Sequence, residues 1–579
     1  MVNLTINGKA VQVPEGTTIL EAAKKIDIRI PTLCHNPDLP AWASCGICIV
    51  RLAGTPKMLR ACCTAVTEGM NLITHDPEIV QARRTVLELI LSNHPDDCLR
   101  CARNGNCELQ SLAAEFGLRT VRFKKILKGQ PIDDSNDAIV LDRDKCINCG
   151  RCVEACQIMQ NVWALEYSGR GDKTMIGPVA GVKLADSPCV RCGQCAVHCP
   201  TGAISSSHSN RKLWDRLGDP EIITAVQIAP AVRVAIGEEF GMKPGELSTK
   251  KIYTALRRIG FNYVFDTNFS ADLTIMEEGT EFVQRLTTGG TLPLFTSCCP
   301  GWVDYVEKNY HDMLPNLSTA KSPQQMMGAV IKTYWAEQMK IDPAKICSVS
   351  IMPCTAKKYE ARRDDNMNSS GYADVDISLT TREFAKLIRQ AGIDFADLEE
   401  TEADNPLGAY TGAGTIFGAT GGVMEAAVRT AYNLVTKEEL GDIDLKPVRG
   451  LENVKTAELD IKGTKVRIAV VHQLGNVAKV IEEVRKAIAE GKEPPYHFIE
   501  VMACRGGCVS GGGQPYGSND EIRAARAAGL YKDDKDSEIR VSHKNPDVIK
   551  LYDDFLLKPC GEKSHHLLHT TYTKRPLYK

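Results

Sequence analysis

Two runs of cysteine, Cys146-Ile-Asn-Cys149-Gly-Arg-Cys152-Val-Glu-Ala-Cys156 and Cys189-Val-Arg-Cys192-Gly-Gln-Cys195-Ala-Val-His-Cys199-Pro200, share the spacing C-x2-C-x2-C-x3-C. Runs of this type hold two 4Fe-4S clusters, with the fourth cysteine of each run crossing to the other cluster. One cluster is therefore expected on Cys146, Cys149, Cys152 and Cys199, and the second on Cys156, Cys189, Cys192 and Cys195. A tetrahedral zinc site does not call for four closely spaced cysteines repeated twice. Three further segments, Thr296-Ser-Cys-Cys-Pro-Gly-Trp302, Met352-Pro-Cys-Thr-Ala-Lys-Lys358 and Glu500-Val-Met-Ala-Cys-Arg-Gly-Gly-Cys508, offer four thiolates for one more cluster and leave Cys298 adjacent to it.

These segments follow apolar runs that read as strands: Ile223–Ala229, Tyr263–Phe265, Leu292–Phe295, Val349–Met352, Val466–Val471 and Phe498–Met502. Thr380-Thr-Arg-Glu383 is a capping box ahead of a helix over Phe384–Ile388. Strands alternating with helical periodicity predict an open α/β architecture from about residue 211, in which strand carboxyl ends form the ligand crevice. Cys298 and Cys299, Cys354 and Cys504 each come just after a strand, so the sequence predicts a single site there. Gly506-Gly507 and Gly511-Gly-Gly513 would let backbone pass close to a bulky inorganic group.

At the other end, Val2–Ile6, the turn Asn7-Gly8 and Val11–Val13 read as a hairpin, and Thr17–Ile26 as a helix. Cys34, Cys45, Cys48 and Cys62 follow. His94, Cys98, Cys101 and Cys107 form H-x3-C-x2-C-x5-C, which taken alone is open to a three-cysteine zinc site. The 23 cysteines, odd in number and grouped at two- and three-residue intervals in a long chain, favour metal ligation over disulfides. A length of 579 residues with 43% hydrophobic content predicts several domains. Lys plus Arg (70) nearly cancels Asp plus Glu (72), so no overall field points to nucleic acid or an anionic membrane. No basic-plus-apolar leader and no run of about 18 apolar residues is visible, which predicts a cytoplasmic protein with no membrane partner.

Together these motifs resemble the catalytic subunit of an FeFe-hydrogenase of the multi-cluster clostridial type, over essentially the whole chain. The resemblance implies an α+β multidomain protein. A β-grasp 2Fe-2S ferredoxin-like domain would span 1–78, a His-ligated 4Fe-4S domain 79–120, a two-cluster ferredoxin-like domain 121–210 and an α/β catalytic domain 211–579. The gap from Cys34 to Cys45 exceeds the C-x4-C of plant ferredoxins, as in the ferredoxin-like domain of hydrogenases and complex I. Family alignment favours Cys62 over Cys63 as ligand, with Cys63 a buried free thiol. It also makes His94 a ligand, a neutral donor that should raise that cluster's potential.

The resemblance further implies an H-cluster, a 4Fe-4S unit on Cys299, Cys354, Cys504 and Cys508 with Cys508 bridging to a di-iron subsite that carries carbon monoxide, cyanide and a dithiolate. Lys357 would donate a charge-assisted hydrogen bond to a cyanide, with Pro353, Met352, Met502 and Phe417 lining the pocket and Lys358 left as a surface lysine. The proton relay implied is Cys298, Glu278, Ser318 and Glu281, with Arg285 near the exit. Taken alone, Glu278 and Glu281 would read as a solvated helix face. Cys347 and Cys560 stand alone and read as structural.

The implied activity is reversible oxidation of dihydrogen, with electrons passing through the N-terminal clusters to ferredoxin or to a flavin- and NAD(P)-binding subunit of an electron-bifurcating complex. Maturation proteins would supply the di-iron unit. A complex-I-like electron-transfer subunit and an iron-sulfur assembly or sensor protein are the competing readings. The first, and an assembly protein, should lack Cys298-Cys299 together with Lys357 and the full Cys504–Pro515 segment.

Overall fold

A computed structural model describes residues 1–579, which divide into two compact units. The first comprises residues 1–159, 163–187 and 198–205; the second comprises 160–162, 188–197 and 206–579.

In the first unit, Val2–Ile6 and Lys9–Val13 pair antiparallel, with Ile6 opposite Lys9. The two turn residues, Asn7 and Gly8, both have positive φ (49° and 78°), the geometry that matches strand twist in a two-residue hairpin. A five-stranded sheet is completed by Asn71–Ile73, Ile49–Leu52 and Met58–Arg60. Its inner face packs Leu4, Ile6, Val13 and Leu72 against Ile19 and Ala22 of the helix Ile19–Lys25. That helix starts at a capping box, Thr18 with Glu21. Helices Pro77–Ser92 and Glu108–Glu115 flank the His94–Cys107 loop.

The second unit contains two separate four-stranded sheets rather than the single open sheet expected. One is wholly parallel, in the order Tyr263–Asp266, Ile223–Ile228, Ile346–Met352, Ile377–Thr380. The other runs Leu294–Phe295, Phe498–Met502, Thr464–His472, Val454–Ile461, with only the last strand antiparallel. Ile346–Met352 and Phe498–Met502 are buried along their whole length, as parallel strands covered on both faces should be. An apolar run specifies burial but not which strand it pairs with, so the split into two sheets was not readable. The strand expected at Leu292–Phe295 shrinks to Leu294–Phe295, because Pro293 has no N–H to give a ladder.

The helix Thr267–Thr288 serves both halves of this unit. Phe269 and Leu273 enter one core, while Ala271, Ile275 and Phe282 enter the other. A helix buried on opposite faces keeps its polar residues inside the protein as well, and Glu277, Glu278 and Glu281 are all buried on it. The helix after the expected capping box, Thr380 with Glu383, spans Thr381–Gln390. No helix is long and apolar enough to cross a membrane.

Candidate active site

Strand ends deliver the cysteines. Cys298 and Cys299 follow Leu294–Phe295, Cys354 follows Ile346–Met352, and Cys504 and Cys508 follow Phe498–Met502. All five line one cavity, together with Met352, Pro353, Lys357, Phe417 and Met502. The crevice thus takes one contribution from the parallel sheet and two from the mixed sheet. The chain bends sharply before Cys508, where Gly506 and Gly507 have φ of 74° and 91°. A Cβ on Gly507 would lie 2.7 Å from the Thr420 nitrogen, and one on Gly511 would lie 2.2 Å from the Pro353 carbonyl oxygen. Only glycine lets these loops close around the cavity. Gln324, Pro323 and Ala231 also line it, and nothing in their local sequence signalled this.

This donor set fits an iron-sulfur cluster. Burial pushes the Cys354 thiol up to about 12, and Cys299, Cys504 and Cys508 are likewise raised, first by burial and, for Cys504 and Cys508, also by the neighbouring sulfurs. Four buried thiols facing one another would stay protonated without a cation among them, and a metal centre supplies that charge. Donors are already aimed at the sulfurs. Cys299 precedes the first residue of the helix Pro300–Asn309, whose amino end favours a thiolate. The Gln194 amide donates to the Cys504 sulfur at 3.1 Å.

Lys357, on the helix Ala356–Glu360, is the cation in the cavity wall. Its Nζ donates to the Cys298 carbonyl oxygen (3.1 Å) and to Glu360 (2.9 Å). Burial opposes its charge, but Glu360 and the nearby thiols outweigh that and raise its pKa. Glu360, three residues along the same helix, was missed, although its spacing from Lys357 was a readable signal. Lys358 is no surface residue: it is buried, with Nζ on Glu383 (2.9 Å), Ser209 (3.0 Å) and the Ser378 carbonyl (3.0 Å). A helix inside an α/β crevice buries both of two consecutive lysines, which a single sequence cannot reveal.

From Cys298 a line of polar groups leads through the mixed core. Cys298 is pushed well above the usual thiol range, by burial first and then by the Glu278 carboxylate. Glu278 is buried, with only weak contacts to Ser318 and the Ser297 amide and no well-formed hydrogen bond on either carboxyl oxygen, and burial lifts its pKa to about 8. Ser318 faces Glu278 and donates its own proton to Glu281 at 3.1 Å. Glu281 also accepts from the Thr319 amide (3.0 Å) and pairs with Arg285 at 2.6 Å. The solvated face read from Glu278 and Glu281 alone is absent. Tyr572, not foreseen, donates to the Ser318 carbonyl at 2.7 Å.

The other cysteine groups divide between the units. The sulfurs of Cys34, Cys45, Cys48 and Cys62 lie within hydrogen-bonding reach of one another. Cys63 is exposed rather than buried, because neighbouring residues of a loop face opposite ways. Cys146, Cys149, Cys152 and Cys199 line one small cavity in the first unit. Of the remaining four ligand candidates, Cys156 belongs to the first unit and Cys189, Cys192 and Cys195 to the second. His94 is buried with no hydrogen-bond partner on Nδ1, a free donor atom of the kind a metal takes. Cys98, Cys101 and Cys107 share its loop, with Cys98 exposed. Cys347 packs in the core of the parallel sheet, and Cys560 hydrogen-bonds through its amide to Glu277 at 2.7 Å.

Family profiles match along the chain: "2Fe-2S iron-sulfur cluster binding domain" at 1–77, "NADH-ubiquinone oxidoreductase-G iron-sulfur binding region" at 83–122 and "4Fe-4S dicluster domain" at 145–203. "Iron only hydrogenase large subunit, C-terminal domain" matches 222–512 and "Iron hydrogenase small subunit" 520–575. The chain is 47% identical to the NADP-reducing hydrogenase subunit HndD of Solidesulfovibrio fructosivorans, covering 99% of both chains. It is 41% identical to iron hydrogenase 1 of Clostridium pasteurianum over 99% of this chain and 100% of that one. A solved apo structure of the hydrogenase HydA1 of Chlamydomonas reinhardtii, 41% identical, superimposes with a TM-score of 0.57 over 64% of this chain and 100% of its own.

Proposed function

The chain belongs to the FeFe-hydrogenases and catalyses the reversible oxidation of dihydrogen to protons and electrons, and from that premise we propose how its own residues divide the work. Cys299, Cys354, Cys504 and Cys508, which line one cavity, would hold the iron-sulfur part of the H-cluster, with Cys508 the protein ligand shared with its di-iron part. When bound, that centre supplies the redox chemistry of dihydrogen cleavage. The apolar wall of Met352, Pro353, Phe417 and Met502 excludes water from it, and Lys357 presents an ammonium to its anionic ligands.

Cys298, in the cavity wall beside Glu278, would hold the proton at its sulfur. Glu278 takes it up, because a carboxyl with a pKa of about 8 can both gain and lose a proton near neutrality. Ser318 passes it on by accepting from Glu278 while donating to Glu281, and Arg285 holds Glu281 at the outer end. What carries this reading is Glu278, a buried carboxyl between Cys298 and Ser318 whose weak contacts with Ser318 and the Ser297 amide do not offset its burial. An electron-transfer subunit or an assembly protein would leave that costly group without a use. Cys298→Ala and Glu278→Gln should each lower hydrogen evolution by roughly 100-fold or more, with full iron content. Full iron content with undiminished evolution would refute the relay.

The N-terminal cysteines and His94 would hold one 2Fe-2S cluster and three 4Fe-4S clusters, which would supply the path for electrons. Cys34, Cys45, Cys48 and Cys62 bind the first, and His94, Cys98, Cys101 and Cys107 the next. The crossed sets Cys146, Cys149, Cys152, Cys199 and Cys156, Cys189, Cys192, Cys195 bind the remaining two. The corresponding domains are 1–78, 79–120, 121–210 and 211–579. Similarity to an NADP-reducing hydrogenase subunit supports a multi-subunit complex. On our reading a flavin- and NAD(P)-binding subunit or a ferredoxin exchanges electrons with this chain, and the cytoplasm is its place.

A further inference from the structure

The loop that carries Cys189, Cys192 and Cys195 belongs to the same compact unit as the cavity, and it is fastened to the segments that bear the cavity cysteines. Arg191 pairs with the buried Asp304 at 2.6 Å, and Lys308 donates to the Cys189 carbonyl at 2.8 Å. Asp304 and Lys308 both lie on the helix that follows Cys299. Thr355, next to Cys354, donates its hydroxyl to the Arg191 carbonyl at 2.7 Å. The approach is closest at Gly193, where a Cβ would lie 2.3 Å from the Thr355 hydroxyl oxygen and 2.9 Å from the Gly512 Cα. Only glycine fits there.

Gln194 follows directly, and its side chain is buried. Its Nε2 donates to the Cys504 sulfur at 3.1 Å and to the Ser510 carbonyl oxygen at 3.2 Å. The second bond fixes the first: a carbonyl oxygen can only accept, so the end of the amide that meets Ser510 must be the nitrogen, and its other hydrogen is left for the sulfur. A hydrogen donated to a cluster sulfur stabilises the extra negative charge of the reduced cluster, and so is one of the levers that set its potential. Gln160 supplies a contrast in the same unit. Its side chain donates to the Ala503 carbonyl at 2.8 Å and accepts from the Leu474 amide at 3.2 Å, so it meets the Cys504 segment through backbone alone.

We propose that Gln194 is a positioning residue that sets the reduction potential of the iron-sulfur centre on Cys299, Cys354, Cys504 and Cys508, holding it above the value it would have with no donor on the Cys504 sulfur. The inference rests on the proposed role of those four cysteines as cluster ligands. The step it acts on is a one-electron reduction, with the electron supplied by the neighbouring clusters and no bond of Gln194 made or broken. Because Gln194 stands between Cys192 and Cys195, the loop assigned to one cluster also tunes the next.

The test is a redox titration of the mature full-length protein followed by electron paramagnetic resonance, a readout that does not depend on turnover. The centre at the cavity is identified as the signal that Cys354→Ser removes or alters. Gln194→Met, similar in length and without a donor, should lower its midpoint so that the reduced-to-oxidised ratio at a given potential falls about ten-fold, which is about 59 mV for one electron. Gln194→Glu, which keeps the length and turns an acceptor toward the sulfur, should shift it in the same direction and serves where the methionine variant loads iron poorly. Gln160→Met, at matched iron content, should leave the midpoint in place. A midpoint unmoved in both Gln194 variants, or moved as far by Gln160→Met, would overturn the inference and leave Gln194 a structural residue. A parent protein with no signal that depends on Cys354 would bring down the cluster assignment itself, and this inference with it.

Discussion

Glu278 and Glu281 sit three residues apart on one helix and have opposite surroundings. Glu281 is held by Arg285, Ser318 and the Thr319 amide, whereas Glu278 has only weak contacts with Ser318 and the Ser297 amide. Burial therefore raises Glu278 from 4.5 to about 8. A carboxyl whose folded pKa is raised holds its proton more tightly in the folded protein, so its effect on stability is nil below the ordinary value and grows as a penalty up to the raised one. The stability of Glu278→Gln relative to the parent should accordingly be level near pH 4.5, rise between pH 4.5 and 8, and flatten above. Thermal unfolding midpoints of the two proteins across that range would check it, and a difference independent of pH would show that Glu278 is not the titrating group. Placing a penalty at this spot, beside Cys298, is the mark of a functional group rather than a structural one.

At the scale of elements, the cavity depends on loops that could not close if they carried side chains. Gly511 shows this most sharply, since its missing Cβ would lie 2.2 Å from the Pro353 carbonyl, and that same oxygen accepts from the Gly513 amide at 2.8 Å. Gly511→Ala should force the Cys508 loop away from the Cys354 loop and destabilise the chain by roughly 1–3 kcal/mol. Iron bound at that site should fall while the N-terminal clusters load normally, which iron analysis with cluster-resolved spectroscopy can read. The capping box at Thr380 and Glu383 was legible because its hydrogen bonds lie within four residues. The pairing of Leu294–Phe295 with Phe498–Met502 was not, because their partners lie some 200 residues apart and any apolar strand could have filled the place.

For the whole molecule, the long helix Thr267–Thr288 lies in two cores at once and carries the proposed relay past them. Cys299, Cys354, Cys504 and Cys508 line one cavity, and on the proposed reading maturation proteins would supply the di-iron part. Protein produced without maturation factors should contain its iron-sulfur clusters, show no carbonyl or cyanide stretching bands in the infrared and evolve no hydrogen. Bands present in such a preparation would contradict this.

The amino-acid sequence by itself marked the iron-sulfur domains that the family profiles match, because the dicluster spacing is written in residues two and three apart and survives any fold that keeps the loops intact. It also marked the strand ends, the Asn7-Gly8 hairpin and the thiol left beside the cluster cysteines. Tertiary structure alone decided that two sheets, not one, deliver those cysteines, that Lys358 is buried against Glu383 and Cys63 exposed, and that Glu278 lacks the partners Glu281 has. Burial and hydrogen-bond satisfaction are set by contacts between segments far apart in the chain, and no local pattern encodes them.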